Sequence, residues 1–352
     1  MSQTVKIAAV QPALRLGDVE NNLHRLEELI RAAVAEHQPE IVTVPEAASS
    51  PNVYSRLMRS VARPIDGAPM RLYRHLAREL GVVVGGGFLA RRGSHVYGTY
   101  VLAEPDGRAH LHDKDIPTVW ENNYYTGGDD PGRTTLRALD DVPVGIANGW
   151  EWARMGTARR LRGRVQVLLG GMCWPSYPSN WRGPFARLAA REHALQLQHA
   201  RELPRQMARL IGAPVAMPSH VGPIDFDTPL VPGLVWRTDM VGETQIVERD
   251  GTILARLNAE DGEGHIAATV TLATPEPTDP LAPTYWIPPM SVTTRAAWIG
   301  MNAHGAIKYR TMWAMRRHTW QRWPGTDLPD EIGPTKWPNN PPPTDPADLA
   351  AG

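Results

Sequence analysis

The chain has 352 residues, and 42% of them are hydrophobic, which is enough to bury the core of one large domain or of two small ones. Acidic and basic residues balance at 37 each, so net charge gives no support for a nucleic-acid partner and is compatible with a small-molecule ligand. A single cysteine excludes an internal disulfide framework, no apolar run approaches the roughly 20 residues of a bilayer span, and the first residues show no signal-peptide pattern. We therefore expect a cytoplasmic protein without membrane contact.

The first part of the chain alternates between strand and helix patterns. The segment VKIAAVQPAL predicts a strand, and apolar residues at helical spacing from Leu23 to Val34 predict the helix that follows it. The run EIVTVPE predicts a second strand that ends at an acid, and the helical segment MRLYRHLAREL precedes a third strand, VVVGGGFLA. Residues 94–114 predict a hairpin, because Pro105, Asp106 and Gly107 supply a turn between two strand patterns.

The second part of the chain continues the alternation. It predicts strands at VPVGIAN, VQVLLGG and APVAMPS, helices over 153–164 and near 185–202, and a hairpin that turns at Asp250 and Gly251. Strands that alternate with helices require a sheet covered by helices, and the hairpins make that sheet mixed. The pattern therefore predicts an α/β fold in which two such sheets can stack.

The composition changes from about residue 283. Half of the chain's twelve tryptophans follow that point: Trp286, Trp298, Trp313, Trp320, Trp323 and Trp337. We predict a first domain over residues 1–282 and a tryptophan-rich extension over 283–337, in which residues 293–323 form one or two short helices. The proline-rich residues 338–352 predict an extended, mobile tail.

Two segments place ionisable side chains directly after predicted strands. Glu46 follows Pro45 at the carboxyl end of its strand, the edge at which open α/β sheets place their ligands. Lys114 follows the hairpin, and Glu121 comes seven residues later in an aromatic setting. His110 and His112 alternate on the same strand, but two histidines without a third ligand give a weak metal signal, so we interpret them as ordinary polar residues and expect no metal.

These segments resemble the motifs of the nitrilase superfamily, the carbon-nitrogen hydrolases. VPEAA, DKDIPTVWE and VGIANGWEWARMGTARRLRGRVQVLLGGMCW resemble the three family motifs in order, and the resemblance extends over residues 5–275. It implies a four-layer α-β-β-α sandwich with mixed sheets and a Glu-Lys-Cys triad that needs no cofactor. It also implies that Glu46 is the general base, that Lys114 steadies the tetrahedral intermediate, and that Glu121 is an additional active-site acid.

The motif that should carry the nucleophile departs from the family pattern. Gly149 stands at the nucleophile position, followed by the expected Trp150 and Glu151. The only cysteine, Cys173, comes 24 residues later, where the resemblance places a small or hydroxyl residue near the pocket, and we interpret it as a buried or pocket-lining residue. Because glycine has no nucleophile, we predict little or no normal turnover. Either the glycine replaces a cysteine of a parent protein, or a natural protein has lost hydrolysis.

The aromatic residues near the motifs predict the kind of substrate. Trp120, Tyr124, Trp150 and Trp174, together with Glu151 and Cys173, are predicted to line a substrate site for an aromatic or heterocyclic acyl group, and core packing is the alternative for the aromatic residues. We expect hydrolysis of a small amide. The alternatives are nitrile hydrolysis, or a binding protein or altered chemistry in the same pocket.

Two features predict self-association. Arginines 154, 159, 160, 162 and 164 follow the predicted nucleophile position, and the resemblance implies that the corresponding helix takes part in a subunit interface. A solvated face is the alternative. The tryptophans after residue 283 must be covered by another subunit or folded back over the body, because exposed indoles promote aggregation. We expect a homodimer or a larger homo-oligomer.

Overall fold

The computed structural model describes residues 3–228, 231, 233–316 and 337. Fifteen strands and five α-helices lie within these residues, as follows in chain order: β1 (Gln3–Gln11), α1 (Val19–His37), β2 (Ile41–Thr43), β3 (Arg63–Pro64), α2 (Ala68–Leu80), β4 (Val83–Arg92), β5 (His95–Ala103), β6 (Ala109–Asp113), β7 (Arg133–Leu136), β8 (Val142–Asn148), α3 (Met155–Leu161), β9 (Val167–Gly171), α4 (Pro184–Ile211), β10 (Val215–Met217), β11 (Pro223–Asp227), β12 (Val235–Asp239), β13 (Thr244–Val247), β14 (Ile253–Leu257), β15 (Gly264–Leu272) and α5 (Val292–Arg316).

The strands form two large mixed sheets and one small hairpin. The first sheet has the order β15-β1-β2-β4-β5-β6, with β3 beside β4, and its β1-β2-β4 centre is parallel. The second has the order β14-β13-β10-β9-β8-β7, with a parallel centre of β8, β9 and β10. Among the described residues, strands β11 and β12 pair only with each other. Parallel neighbours need helical crossovers, which explains why both sheets carry helices.

Three apolar layers separate the four structural layers. Residues of α1 and α2, such as Leu26 and Tyr73, pack on the outer face of the first sheet. Ile7 and Leu169 lie in the layer between the two sheets. Leu203 of α4 packs with residues of α3 on the outer face of the second sheet. These clusters confirm the predicted four-layer α-β-β-α sandwich, and each fully buried large apolar side chain contributes about 1.5–3 kcal/mol to it.

Helix bounds differ from the sequence predictions at three places. Helix α4 continues to Ile211, beyond the predicted end near 202, and ends where Gly212 adopts the left-handed conformation at φ 80°. Helix α3 covers only Met155–Leu161, because residues Gly149–Ala153 form a 3₁₀ helix. In the extension, the described part of 293–323 belongs to one long helix, α5.

The extension folds back on the body of the molecule. Asn302 of α5 accepts hydrogen bonds from Val119 N and Asn122 Nδ2, at 2.5 and 2.7 Å, in the 3₁₀ helix Val119–Asn123. Trp286 and Trp298 contact each other at 5.3 Å between ring centroids, and Trp337 is buried in the core beside α1. Trp320, Trp323, the side chain of Trp313 and the predicted tail 338–352 lie outside the described residues. None of the described helices is long and apolar enough to cross a bilayer.

Candidate active site

Three charged side chains meet at the carboxyl ends of two strands. Glu46 follows β2, Lys114 follows β6, and Glu121 lies in the 3₁₀ helix Val119–Asn123. Lys114 Nζ donates to Glu46 Oε1 at 2.8 Å and lies 2.7 Å from Glu121 Oε2. All three side chains are buried. The structure therefore brings together the two carboxylates and the ammonium group that the sequence predicted from separate motifs.

The backbone around Glu46 is held by close packing. A side chain on Gly87 would approach Ala47 N to 2.8 Å, and one on Gly171 would approach Pro45 Cα to 2.5 Å, so β4 and β9 press against this segment from two sides. His220, a buried residue that the sequence analysis missed, donates from Nε2 to the Glu46 carbonyl at 2.6 Å. Burial lowers the pKa of His220 to about 4, so the ring is neutral. No motif signalled this histidine.

The electrostatics of the cluster favour a carboxyl group that can exchange a proton near neutrality. Burial raises the pKa of Glu46 to about 7, against the attraction of Lys114 and with added repulsion from Glu121. Burial by itself lowers the pKa of Lys114, but Glu121 and Glu46 overcome that effect and hold it above its usual value. Lys114 thus stays protonated while Glu46 titrates. A base beside a permanent cation suits catalysis of an addition to a polarised carbon.

Gly149 lies at the end of β8 and faces this cluster. Its φ is +59°, in the left-handed region that favours glycine. A Cβ at this position would collide with both carboxylate oxygens of Glu46. The glycine therefore leaves no enlarged cavity, because the Glu46 carboxylate fills the space that a side chain would take.

Cys173 follows β9 and contacts the same carboxylate. Its backbone N donates to Glu46 Oε2 at 3.1 Å, and its Sγ accepts a hydrogen bond from Asn52 N at 3.2 Å. The side chain is buried, and burial together with the charge of Glu46 raises the pKa of the thiol well above its usual value.

An aromatic cavity of about 300 Å³ reaches the cluster through Glu121 and Cys173. Its wall includes seven tryptophans: Trp120, Trp150, Trp174, Trp181, Trp236, Trp286 and Trp298. The first three were predicted. Trp181, which precedes α4, and Trp236, which lies in β12, were not. Helix α5 supplies Trp298 and its neighbours, so the tryptophan-rich composition after residue 283 was the signal for this part of the wall.

Two predicted substrate-binding residues do not line this cavity. The Tyr124 hydroxyl donates to Ser55 O and accepts from Ser55 N, both at 3.0 Å, which fixes it on the loop after β2. The Glu151 carboxylate is fully buried and accepts from Asn148 N at 2.8 Å. Glu151 therefore supports the backbone that precedes Gly149, because a capping carboxylate must turn back toward the start of its own 3₁₀ helix.

A second ionic network, centred on His112, supports the 3₁₀ helix Gly149–Ala153. His112 lies between Glu151 Oε2, at 2.6 Å from Nε2, and Asp130 Oδ1, at 2.5 Å from Nδ1. Burial by itself lowers the pKa of His112. The carboxylates of Glu151 and Asp130 outweigh burial and raise that pKa to about 10. Its interpretation as an ordinary polar residue is wrong, because the second sheet covers this face of β6 and leaves the ring with no exposed surface.

The arginines after Gly149 are used mainly within the chain. Arg154 pairs with Asp115 Oδ1 at 2.5 Å, and Arg160 pairs with Asp115 and Glu151, each at 3.1 Å. Arg162 donates to the carbonyl groups of Leu210 and Asp279. The chain's own carboxylates and carbonyls thus pair with arginine side chains for which the sequence suggested solvent or a partner subunit.

One group of side chains has the spacing of metal ligands among the described residues. It consists of Glu36, which is exposed, and of His37 and His265, which are partly exposed, and none of them lines the cavity.

The chain belongs to the carbon-nitrogen hydrolase family, whose sequence model matches residues 6–279. This confirms the nitrilase-superfamily resemblance. No curated protein sequence matches the chain at a significant level.

Solved structures of the nitrilase fold superpose on the chain. A carbon-nitrogen hydrolase from Helicobacter pylori G27 is 17% identical with a TM-score of 0.60, over 76% of this chain and 89% of that one. Saccharomyces cerevisiae Nit3, of branch 10 of the nitrilase superfamily, is 17% identical with a TM-score of 0.55, over 91% and 97%. The amidase of Nesterenkonia AN1 is 17% identical with a TM-score of 0.55, over 75% and 90%. These similarities confirm the fold.

Proposed function

We propose that this protein acts on a small amide with an aromatic or heterocyclic acyl group, at the carbon-nitrogen bond, releasing acid and ammonia or an amine. The observation that carries the proposal is the buried Glu46-Lys114-Glu121 cluster at the end of an aromatic cavity. Glu46 acts as general base, Lys114 stabilises the oxyanion of the tetrahedral intermediate, and Glu121 holds the lysine in place.

The polar atoms of the cavity support a ring with polar substituents. The indole N–H groups of Trp181 and Trp298 and Oε1 of Gln196 line the cavity without hydrogen-bond partners among the described residues. Flat rings pack favourably on aromatic walls, and acceptors on such a ring would satisfy the indole donors. An aliphatic amide would leave these groups unpaired.

The same proposal predicts weak turnover by the family's usual route. Gly149 offers no nucleophile, and removal of a nucleophile generally leaves about 10³–10⁴-fold catalysis over the uncatalysed reaction. The left-handed conformation of Gly149 and the close approach of Glu46 indicate a pocket that is adapted to glycine at this position. They argue against a pocket that has only lost a side chain. A ligand-binding protein in the same pocket is the second candidate, favoured by the absent side chain at residue 149.

Structural neighbours support an amide-like ligand. Variants of the Nesterenkonia amidase carry acrylamide, or the acetamide moiety of fluoroacetamide, added covalently at that protein's active-site cysteine. We extend the ligand class, and not the position of the cysteine, to this chain.

An amide and nitrile panel tests the proposal. Acetamide, benzamide, phenylacetamide and the matching nitriles are assayed for ammonia release and for a shift in the thermal midpoint, with the unmodified chain, Glu46→Gln and Gly149→Cys. We expect larger midpoint shifts with aromatic amides than with acetamide, and slow ammonia release that Glu46→Gln abolishes. Binding without release from every variant would favour the binding-protein candidate. No binding and no release by any variant would contradict the proposal.

We also propose a cytoplasmic homo-oligomer. Val292, Ile299 and Ile307 expose apolar side chains on the outer face of α5, a surface that a second subunit would cover. Gel filtration with light scattering should give at least twice the monomer mass, and a monomer mass at micromolar concentration would count against association.

A further inference from the structure

The chain's single thiol lies where the aromatic cavity meets the charged cluster. Cys173 and Glu121 both line the cavity, and the Cys173 backbone N donates to Glu46 Oε2 at 3.1 Å. The other oxygen of that carboxylate, Oε1, accepts from Lys114 Nζ at 2.8 Å. The carboxylate is therefore held between the lysine on one side and the residue that carries the thiol on the other.

A backbone hydrogen bond orients the thiol. Asn52 N donates to Cys173 Sγ at 3.2 Å, which fixes the side of the thiol that faces the loop after β2. The Asn52 side chain is only 2% exposed and does not line the cavity. The backbone N–H is therefore the group of Asn52 that acts on the sulfur.

We propose that Cys173 replaces the missing residue-149 thiol as the nucleophile of this site, an inference that rests on the proposed amidase function. Glu46 takes the thiol proton as Cys173 Sγ bonds to the amide carbon, and the electron pair of the carbonyl bond moves to the oxygen beside the Lys114 ammonium. When the carbonyl re-forms, the carbon-nitrogen bond breaks and the nitrogen leaves as ammonia or amine with the proton from Glu46. Water then attacks the thioester and gives one proton to Glu46. The carbon-sulfur bond breaks and Glu46 returns that proton to the sulfur, which releases the acid and the free thiol.

Cys173 follows β9, whereas the nucleophile position of the family motif, residue 149, follows β8. Strands β8 and β9 are parallel neighbours, with Asn148 opposite Gly171, so the residues that follow them, Gly149 and Cys173, emerge at the same edge of the sheet. A Cβ on residue 149 would meet the Glu46 carboxylate, and Cys173 contacts the same carboxylate through its backbone N. Moving the thiol by one strand thus keeps the residue that carries it beside the same base.

Labelling of the full-length chain tests the assignment. The unmodified chain, Glu46→Gln and Cys173→Ser are incubated with fluoroacetamide, and adducts are counted by intact mass and located by peptide mapping, with glutathione as an unactivated reference thiol. Because burial keeps the thiol protonated, its reactivity depends on Glu46 taking the proton as the sulfur attacks. We expect one adduct, on Cys173, that forms at least tenfold faster than the glutathione adduct and at least tenfold more slowly in Glu46→Gln. A rate no greater than that of glutathione, or one unaffected by Glu46→Gln, would overturn the assignment.

A second experiment, which measures amide hydrolysis, distinguishes a failure of this inference from a failure of the proposed function. Ammonia release from the best amide of the panel is compared between the unmodified chain, Cys173→Ser and Cys173→Ala, whose folding is checked by circular dichroism and thermal midpoint. At least a tenfold loss in both variants, with amide binding retained, supports the nucleophile. Release that stays dependent on Glu46 in both variants refutes the role of Cys173 and leaves the amidase function standing, whereas the absence of any amide binding removes both.

Discussion

At residue 149 the backbone conformation and a neighbouring carboxylate both require a small residue. Any Cβ there meets the Glu46 oxygens, and φ is +59°. Gly156, seven residues later in α3, offers a contrast, because it has open space around it and an ordinary helical φ. Glycine is therefore required at residue 149 by its conformation and by its close neighbour, whereas residue 156 has no such requirement.

We predict that Gly149→Ala lowers the free energy of unfolding by about 2 kcal/mol or more, because a left-handed non-glycine residue costs about 1–2 kcal/mol and overpacking adds a similar amount. Gly156→Ala, the matched control, should leave stability unchanged or raise it by up to about 1 kcal/mol. Urea unfolding of the two variants measures both values. Equal stability of the two variants would show that Glu46 does not occupy the space beside residue 149.

The pKa of Glu46 predicts the pH dependence of any reaction for which it is the base. Burial raises that pKa to about 7, so the carboxyl group is protonated and inactive below this pH and becomes a base above it. Ammonia release should rise about tenfold per pH unit below pH 7 and level off above it, with Lys114 still charged. A pH-rate profile measures this, with Asp106→Asn, at an exposed turn, as the control. A profile that is flat between pH 5 and pH 8 would exclude Glu46 as the base.

At the scale of a single element, strand β6 explains how several charges come to be buried together. Its alternate residues His110 and His112, and Lys114 just beyond its end, point to one face, since side chains of a strand repeat every two residues. Each meets a buried carboxylate: Glu104, Glu151 and Glu46 respectively. A row of basic side chains on one face therefore joins the ion pairs beneath the 3₁₀ helix Gly149–Ala153 to the cluster of Glu46, Lys114 and Glu121.

We predict that His112→Gln lowers the free energy of unfolding by about 3–5 kcal/mol near pH 6, because it leaves Glu151 without its closest counter-charge in a buried site. The pKa of His112 is raised to about 10 in the folded state from about 6.5 in the unfolded chain, so this contribution is complete below pH 6.5 and is lost as pH rises toward 10.

Urea unfolding of His112→Gln at pH 6 and pH 9 measures this trend, and His110→Gln, on the same face of β6 but partly exposed, is the matched control. The deficit of His112→Gln should be smaller at pH 9, and His110→Gln should lose less at either pH. A deficit that grows with pH would contradict a charged His112.

At the scale of the whole molecule, the cavity is assembled from both sheets' loops and from the extension. The body supplies Trp120, Trp150 and Trp174, whereas α5 adds Trp298 to the wall. Glu192 of α4 accepts hydrogen bonds from Ser291 and Thr294 at the start of α5, which ties the helix to the second sheet's outer layer. The extension thereby forms part of the cavity wall.

We predict that Trp298→Ala weakens binding of an aromatic amide about tenfold while acetamide binding changes little, because only the larger ligand reaches the wall that α5 forms. Calorimetric titration of both ligands measures the effect. Ile299→Ala, at the exposed neighbouring position, is the control and should bind both ligands normally. Equal losses for the two ligands would place the binding site elsewhere.

The element pattern was readable from the sequence, but pairings between distant segments were not. The apolar alternation of VKIAAVQPAL predicted β1, yet its partner β15 had no prediction because its residues are only partly buried and show no clean alternation. Strands β7, β11 and β12 were also missed, since short hairpin strands carry weak patterns. Hydrophobic periodicity reports burial within a segment, and sheet partners are decided by the rest of the chain.

The sequence alone determined which chemical groups this site contains, because Glu46, Lys114 and Glu121 stand in motifs whose spacing relative to strand ends is encoded locally. It also determined that residue 149 carries no nucleophile. Only the tertiary structure decided where the remaining groups point: that Glu46 fills the space beside Gly149, that Glu151 and His112 form a buried support, and that Cys173 emerges beside Gly149. The reason is physical, since contacts between residues far apart in the chain depend on how the sheets pair and pack.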